Sequence, residues 1–410
     1  MFSAIYDAME AEHQPKFYVK NGKASRGLEQ PARAAILLNA FRSAGWPIQN
    51  PDAFGLDPIL KIHTERYLSF LQRANAYLGS SAEGDAELVA TITRDSSGNY
   101  PLSLLGQVEW HMFDVFSPIG SNTYAAALGS ASVALTGARL LRDGARSAYA
   151  LCRPPGHHAH ADYGGGYCYF NNAAIAAEEL SSGGNRVAIL DVDADHGNGT
   201  QDIFYERDDV LHVSLHADPS VSYPYYSGYE DESGKGAGIG ANINIPLALG
   251  TDDKAYLNAL SRGLDIIAKF NPRYCVVALG VDGHVDEPNQ VFKLTTDCYY
   301  KLGEALFELG LPTLFTQEGG YNLTTLARNV LAVATPFARG ADGAIFPPEA
   351  NRVLPGLAWA TRCGRMVKLI PPPPASPEKH DDNECRTGEA TSRSRGQRSF
   401  VFFSDVCCAC

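Results

Sequence analysis

The chain has 410 residues, 45% hydrophobic and 20% charged, a globular composition long enough for one large α/β domain or two ordinary ones. The net charge of −12 sits in the body: residues 341–410 carry nine Lys/Arg and eight Asp/Glu, leaving 25 basic and 38 acidic groups in the first 340. A body of that sign repels phosphate backbones, so nucleic acid is excluded as a natural partner, and it attracts cationic ligands such as amines over about a Debye length.

No apolar run approaches the ~18 residues needed to cross a bilayer, and Met1–Glu12 lacks a basic segment followed by an apolar one. No membrane partner is expected, and a cytoplasmic location is. The body has no paired CxxC spacing, so Cys152, Cys168, Cys275 and Cys298 read as small buried hydrophobes.

Taken in chain order, short apolar runs alternate with helical stretches. The runs are 148–152, 187–193, 210–215, 274–281 and 313–316, and they lack the strict alternation of half-exposed strands. Helices are expected over roughly 121–142, 171–182, 252–270, 295–309 and 323–337. Serial βα units predict an α/β fold with a multi-stranded, mostly parallel sheet flanked by helices. Residues 1–340 form the expected catalytic domain. Residues 341–410, with Pro371–Pro374, a charged stretch, a Ser/Arg-rich stretch and Cys407, Cys408 and Cys410, read as a disordered tail.

Ligands of such sheets bind at the carboxyl ends of the strands. The residues there are Arg153–His158, Asp191–His196, Ser214–His216, Asp282 and Gln317–Tyr321, where the titratable and glycine-rich residues of the chain collect. In a strand, Asp191, Asp193 and Asp195 would project on one face. Three carboxylates there cost several kcal/mol each to bury unless a cation neutralises them, so the pattern predicts a metal; the bland alternative is a solvated strand end capping the next helix. His157 and His158 follow the rigid Pro154-Pro-Gly156 turn and suit proton transfer near neutral pH. Tyr321 follows Glu318-Gly-Gly320, where a phenol can donate to a developing oxyanion. Gly234–Gly240 lacks the lysine of a phosphate-binding loop and reads as a loop.

Together these blocks resemble the histone deacetylase superfamily, within the arginase–deacetylase fold. The likeness runs over roughly residues 10–338. It is carried by Glu29-Gln-Pro-Ala-Arg33, His63-Thr-Glu-Arg-Tyr67, the RPPGHH block, Gly165-Gly-Tyr-Cys-Tyr-Phe-Asn-Asn172, the DVDADHGNGTQ block, LGVD and EGGY. Pro219–Tyr229 and segment 80–118 look nearest to the acetylpolyamine amidohydrolase branch.

The resemblance implies a zinc-dependent deacetylase in which Asp193, Asp195 and Asp282 hold the metal. His157 would be oriented by Asp191 and His158 by Asn198, with His158 the better general base because a neutral partner does not raise its pKa. Tyr321 would polarise the scissile carbonyl. Asp191, Ser214 and main-chain oxygens of Asp193, Asp195 and Leu215 would bind a structural K⁺. Tyr167 and Tyr226 would flank a narrow tunnel, with ordinary aromatic packing the alternative for Tyr226.

One position departs from the family pattern. Histidine is usual where Asp195 stands, and His196 lies one residue too late to share its face. Three carboxylates on a divalent ion leave −1 and favour Mn²⁺ or Mg²⁺ over Zn²⁺. Asp195 could ligate in place of the histidine, His284 could compensate, or the chain could be a weakly active or inactive pseudoenzyme. The expected substrates are small cationic acetylated amines, with acetyl-lysine the competing class. A homodimer partner or inserted loop would restrict entry to slim molecules, and Glu109 and Asp114 could supply a negative rim.

Overall fold

The computed structural model describes residues 2–16, 18–20, 23–25, 27–80, 86–92 and 98–339. The expected tail, with its terminal cysteines, lies outside the described residues. The strands are β1 (Ala4–Ile5), β2 (Tyr18–Lys20), β3 (Lys23–Ser25), β4 (Ile48–Gln49), β5 (Ser147–Ala150), β6 (Val187–Asp191), β7 (Val210–Ala217), β8 (Asn242–Leu247), β9 (Tyr274–Leu279) and β10 (Thr313–Gln317). β2 and β3 form a separate antiparallel pair, and the others form one sheet in the order β4-β1-β5-β10-β9-β6-β7-β8. Every pairing in that sheet is parallel.

The helices are α1 (Ala32–Ser43), α2 (Asp57–Leu60), α3 (Glu65–Ser80), α4 (Leu104–His111), α5 (Thr123–Arg142), α6 (Asn172–Ser181), α7 (Asn198–Phe204), α8 (Asp253–Phe270), α9 (Thr296–Glu308) and α10 (Leu326–Arg339). None among the described residues is long and apolar enough to cross a membrane. They cover both sheet faces, forming two cores. One core sets α3, α5 and α6 against Ala148, Ile189, Val276 and Leu314, and the other sets α1, α8, α9 and α10 against Tyr149, Leu190, Val277 and Phe315. Adjacent strand residues thus enter opposite cores, which is why these strands read as continuous apolar runs.

Local chemistry sets the helix ends. The Asn171 side chain accepts from the Ala174 amide at 2.9 Å to start α6, and Asp252 accepts from Ala255 at 3.0 Å to start α8. Helix α8 stops at Asn271, whose φ of 53° lies in the left-handed region asparagine tolerates. Strand β6 ends at Asp191, sooner than the run to 193 suggested. The side chain of Asp191 then accepts the Asp193 amide at 3.1 Å, and that of Asp193 accepts the Asp195 amide at 3.0 Å. Two successive aspartate turns replace the ladder, so the three acids do not share a strand face.

Candidate active site

Strands β6, β9 and β10 lie side by side, and their carboxyl ends bring the acids together. Asp193, Asp282 and Glu318 are buried. The Gly319 amide donates to Asp193 Oδ2 at 2.8 Å, and the Ala194 amide donates to Asp282 Oδ1 at 3.0 Å. A Cβ on Gly319 would lie 2.6 Å from Asp193 Oδ2 and 2.3 Å from Asp282 Oδ2, so both carboxylates close on the same bare Cα. Burial and mutual repulsion drive Asp282 well above the usual carboxylate range, and burial lifts Asp193 to about 6 despite His157 beside it. Such a pair needs a proton or a cation.

Asp195 adjoins Asp193, whose carboxylate accepts its amide. It is half-buried, and its charge is felt by Asp193, Tyr167 and Tyr223. Among the described residues, the donor atoms that all lie within 4.8 Å of one another belong to His157, Cys168 and Glu318, not to Asp193, Asp195 and Asp282. Two of the three expected ligands therefore converge. The third, Asp195, is not part of the His157–Cys168–Glu318 trio, and its charge acts on Asp193 as well as on Tyr167 and Tyr223.

His196 is fully buried on another side, 4.5 Å from His216 between ring centres. His284 takes the Asp286 amide at 3.1 Å and neighbours Arg328, and Asp282 is not among the charges acting on it. Among the described residues its close polar partners are Asp286 and Arg328, not Asp193 or Asp282.

The two histidines sit with ring centres 3.8 Å apart. His157 Nδ1 lies 3.0 Å from Asp191 Oδ2, and His158 Nδ1 lies 2.8 Å from Asn198 Oδ1. Burial alone would depress His157, but the carboxylates of Asp191 and Asp193 outweigh it and hold the ring well above an ordinary histidine. His158 has burial and the charge of His157 against it and lies well below.

Tyr321 is half-buried beneath Tyr167, their ring centres 5.7 Å apart, with the Arg33 guanidinium 5.0 Å from its ring centre. Tyr167 has a φ of +71°, a strained conformation for a side chain of its size. Its amide donates to Ser117 Oγ at 2.7 Å. The wall opposite is Tyr223, edge-on to His158 at 4.9 Å, with Phe116 6.2 Å from each tyrosine ring. Tyr226, expected in that wall, is 63% exposed and lies at the rim with its hydroxyl towards Asn198. The two acids of the expected rim serve the framework. Glu109 accepts from Thr91 and Ile92, while Asp114 Oδ2 accepts from the Gly166 amide and the Tyr223 hydroxyl, both at 2.8 Å.

Asp191 and Ser214 face each other across the β6–β7 register, beside Leu215. His216 Nε2 donates to the Gly228 carbonyl at 2.8 Å, which leaves Nδ1 to accept the Ser214 hydroxyl at 2.7 Å and frees the oxygen lone pairs of that serine.

Several supporting residues carried no role in the sequence reading. Glu318 Oε2 accepts from the amides of Gly156 at 2.7 Å and His157 at 3.2 Å. Glu287 accepts from the amides of Tyr321 at 2.8 Å and Asn322 at 3.1 Å. Arg33 donates to the carbonyls of Glu318 and Gly320, Arg153 to those of Glu10 and His13, and buried Glu29 joins the two guanidiniums at 3.1 and 2.8 Å. The signal available was the presence of Glu29, Arg33, Glu318 and Tyr223 inside recognisable blocks; Glu287 had none.

The histone deacetylase domain model matches residues 27–336. The chain is 43% identical over 336 residues to acetylpolyamine amidohydrolase 2 of Pseudomonas aeruginosa, covering 81% of this chain and 98% of that one. It is 42% identical over 319 residues to the acetylpolyamine amidohydrolase of Burkholderia pseudomallei, covering 77% and 93%. A crystal structure of the acetylpolyamine aminohydrolase from Burkholderia pseudomallei matches with a TM-score of 0.79 at 39% identity over 82% of this chain and 98% of that one. The HDA15 HD domain matches at 0.69 and 25% identity, covering 83% and 90%. The chain belongs to the histone deacetylase family, on its acetylpolyamine amidohydrolase-like branch.

Proposed function

We propose that the chain is a divalent-metal-dependent amidohydrolase that removes acetyl groups from N-acetylated cationic amines, acetylpolyamines ahead of acetyl-lysine side chains. The observation that carries this reading is the convergence of the buried Asp193 and Asp282 carboxylates beside the paired rings of His157 and His158.

The donor set fits a cation: two buried, mutually repelling carboxylates have no cationic side chain but His157 among the groups acting on them. Asp193 and Asp282 would hold the ion, with Asp195 as third donor. Because all three are oxygen ligands, Mn²⁺ is favoured relative to the usual balance, although Zn²⁺ remains the family expectation. When bound, the ion supplies Lewis-acid polarisation of the acyl carbonyl. Asp191, Ser214 and the neighbouring main-chain oxygens are the seat proposed for a structural K⁺.

The residues of the chain divide the proton work. His158, neutral at neutral pH, takes a proton from the attacking water. His157, kept cationic by Asp191 and Asp193, gives one to the departing amine. The Tyr321 hydroxyl donates to the developing oxyanion. Tyr167, Phe116 and Tyr223 line an aromatic slot that suits a slim aliphatic stem, and the acidic body favours a cationic one. Water and an acetylated amine thus yield acetate and the free amine.

The aspartate at 195, where the family pattern has histidine, supports a second reading, a deacetylase-like pseudoenzyme that binds without turnover. The test is metal content and turnover of acetylspermidine and an acetyl-lysine peptide, for the natural chain and for Asp195→His. Metal-dependent turnover favouring acetylspermidine is expected. A natural chain that takes up no divalent ion at saturation refutes the enzymatic reading.

A further inference from the structure

We propose that His157, Cys168 and Glu318 form a second, soft cation site beside the all-carboxylate pocket, and that a thiophilic divalent ion seated there silences the reaction centre. The donor atoms of these three side chains lie within 4.8 Å of one another. Cys168 and Glu318 are fully buried and His157 nearly so. Glu318 spends Oε2 on the Gly156 and His157 amides, while its Oε1 is buried with no hydrogen-bond partner. His157 commits Nδ1 to Asp191, which leaves Nε2 as its donor. The Cys168 thiol donates to the Gly166 carbonyl at 3.4 Å and lies against the His158 backbone.

Nitrogen, sulfur and carboxylate are the ligands zinc and cadmium select, and a small inward shift brings these three to the usual zinc–ligand lengths of ~2.0–2.3 Å. On binding, the Cys168 thiol and the Nε2 of the His157 imidazolium each release a proton to solvent, and a sulfur–metal and a nitrogen–metal bond take their places. Asp191 and Asp193 attract the incoming dication while holding the protons it displaces, so binding strengthens as pH rises. A lone pair of His157 bound to metal cannot carry a proton to the leaving amine. The two sites differ in hardness: Asp193, Asp195 and Asp282 offer oxygen alone, whereas the neighbouring trio offers a thiolate. One protein then distinguishes ions by type, running on a hard ion such as Mn²⁺ and stopped by excess Zn²⁺ or Cd²⁺.

Binding stands independently, while the silencing half rests on the amidohydrolase reading. The full chain, stripped of metal and kept reduced, is titrated with Cd²⁺ while the thiolate-to-cadmium charge-transfer absorbance is followed. Cys168→Ser is expected to lose one increment of that absorbance, and Glu318→Gln, which keeps a carbonyl for the two amides, to weaken it by about tenfold or more. In parallel, Mn²⁺-loaded protein turning over acetylspermidine is titrated with Zn²⁺. Inhibition is expected in the natural chain and about tenfold weaker in Cys168→Ser. Equal cadmium absorbance in the natural chain and Cys168→Ser overturns the site. Equal zinc inhibition in the two overturns the silencing. Absence of turnover with every metal refutes the proposed function while the cadmium titration still decides the site.

Discussion

The ring of His158 meets Asn198 at 2.8 Å, a neutral partner, while its neighbour His157 meets the carboxylate of Asp191 at 3.0 Å. That one difference in charge gives adjacent imidazoles opposite proton affinities. With its pKa well below 6.5, His158 is already free of its proton at neutral pH. Asn198→Asp replaces the neutral acceptor by a charged one and raises that pKa. The acidic limb of the kcat/KM profile is expected to move up by about one unit or more. Profiles of the two proteins in the same buffers check it, and an unmoved limb removes His158 from the base role.

Gly319→Ala is expected to empty the carboxylate pocket, because the new methyl would sit 2.3 Å from Asp282 Oδ2 and 2.6 Å from Asp193 Oδ2. Bound divalent metal should fall sharply and turnover by roughly a hundredfold or more. Metal analysis after dialysis, with circular dichroism to verify the fold, separates this from unfolding.

Removing the Glu29 carboxylate should cost far more than a surface charge. Arg33 and Arg153 would be left facing each other, both almost wholly buried. Glu29→Gln is expected to destabilise the domain by about 3–5 kcal/mol, read from urea unfolding at pH 7. Burial opposes the charge on Glu29, but the two guanidiniums outweigh it and hold its pKa low. The benefit therefore exists above the ordinary glutamate pKa and fades as pH falls through the depressed one.

Acid should weaken the fold through His63 as well. Its Nδ1 donates to the His160 carbonyl at 3.0 Å and its Nε2 accepts the Asn171 amide at 2.9 Å, a pattern only the neutral ring satisfies. Burial lowers its pKa from 6.5 to about 4. The unfolded chain binds the proton first, so this contribution is complete above pH 6.5 and is lost as pH falls towards 4, on the order of 3 kcal/mol in all. His63→Gln keeps one donor and one acceptor without titrating. It should flatten the dependence of stability on pH between 6.5 and 4.5.

Much of this architecture is legible in the sequence. Strands β5, β6, β7, β9 and β10 are buried on both faces, and such strands announce themselves as unbroken apolar runs. Strand β8 escaped because Asn242, Asn244 and Pro246 interrupt its pattern, and β1 and β4 because two residues carry no period. The acids lie at strand ends, but Asp191, Asp193 and Asp195 do not share a strand face. A period of two holds only while the ladder continues, and aspartate ends it by capturing the amide two residues on. Asp195 was therefore expected on a shared face that the backbone does not provide. The roles of Tyr223 and Glu287 were hidden for another reason: each acts across a long sequence separation, on Asp114 and on Tyr321, so a recognisable segment around Tyr223 did not single it out.

The Arg33–Glu29–Arg153 bridge also has a bearing on biosynthesis. It staples the chain's first fifteen residues, the turn before His157 and the turn before Tyr321 into one unit. A polypeptide still missing its last strand offers Arg33 no carbonyls to grip, and one clipped near its start deprives Arg153 of Glu10 and His13. The turns before His157 and Tyr321 are therefore expected to lock together only once the Glu10–His13 segment and β10 are both in place, which ties their order to two distant stretches of chain.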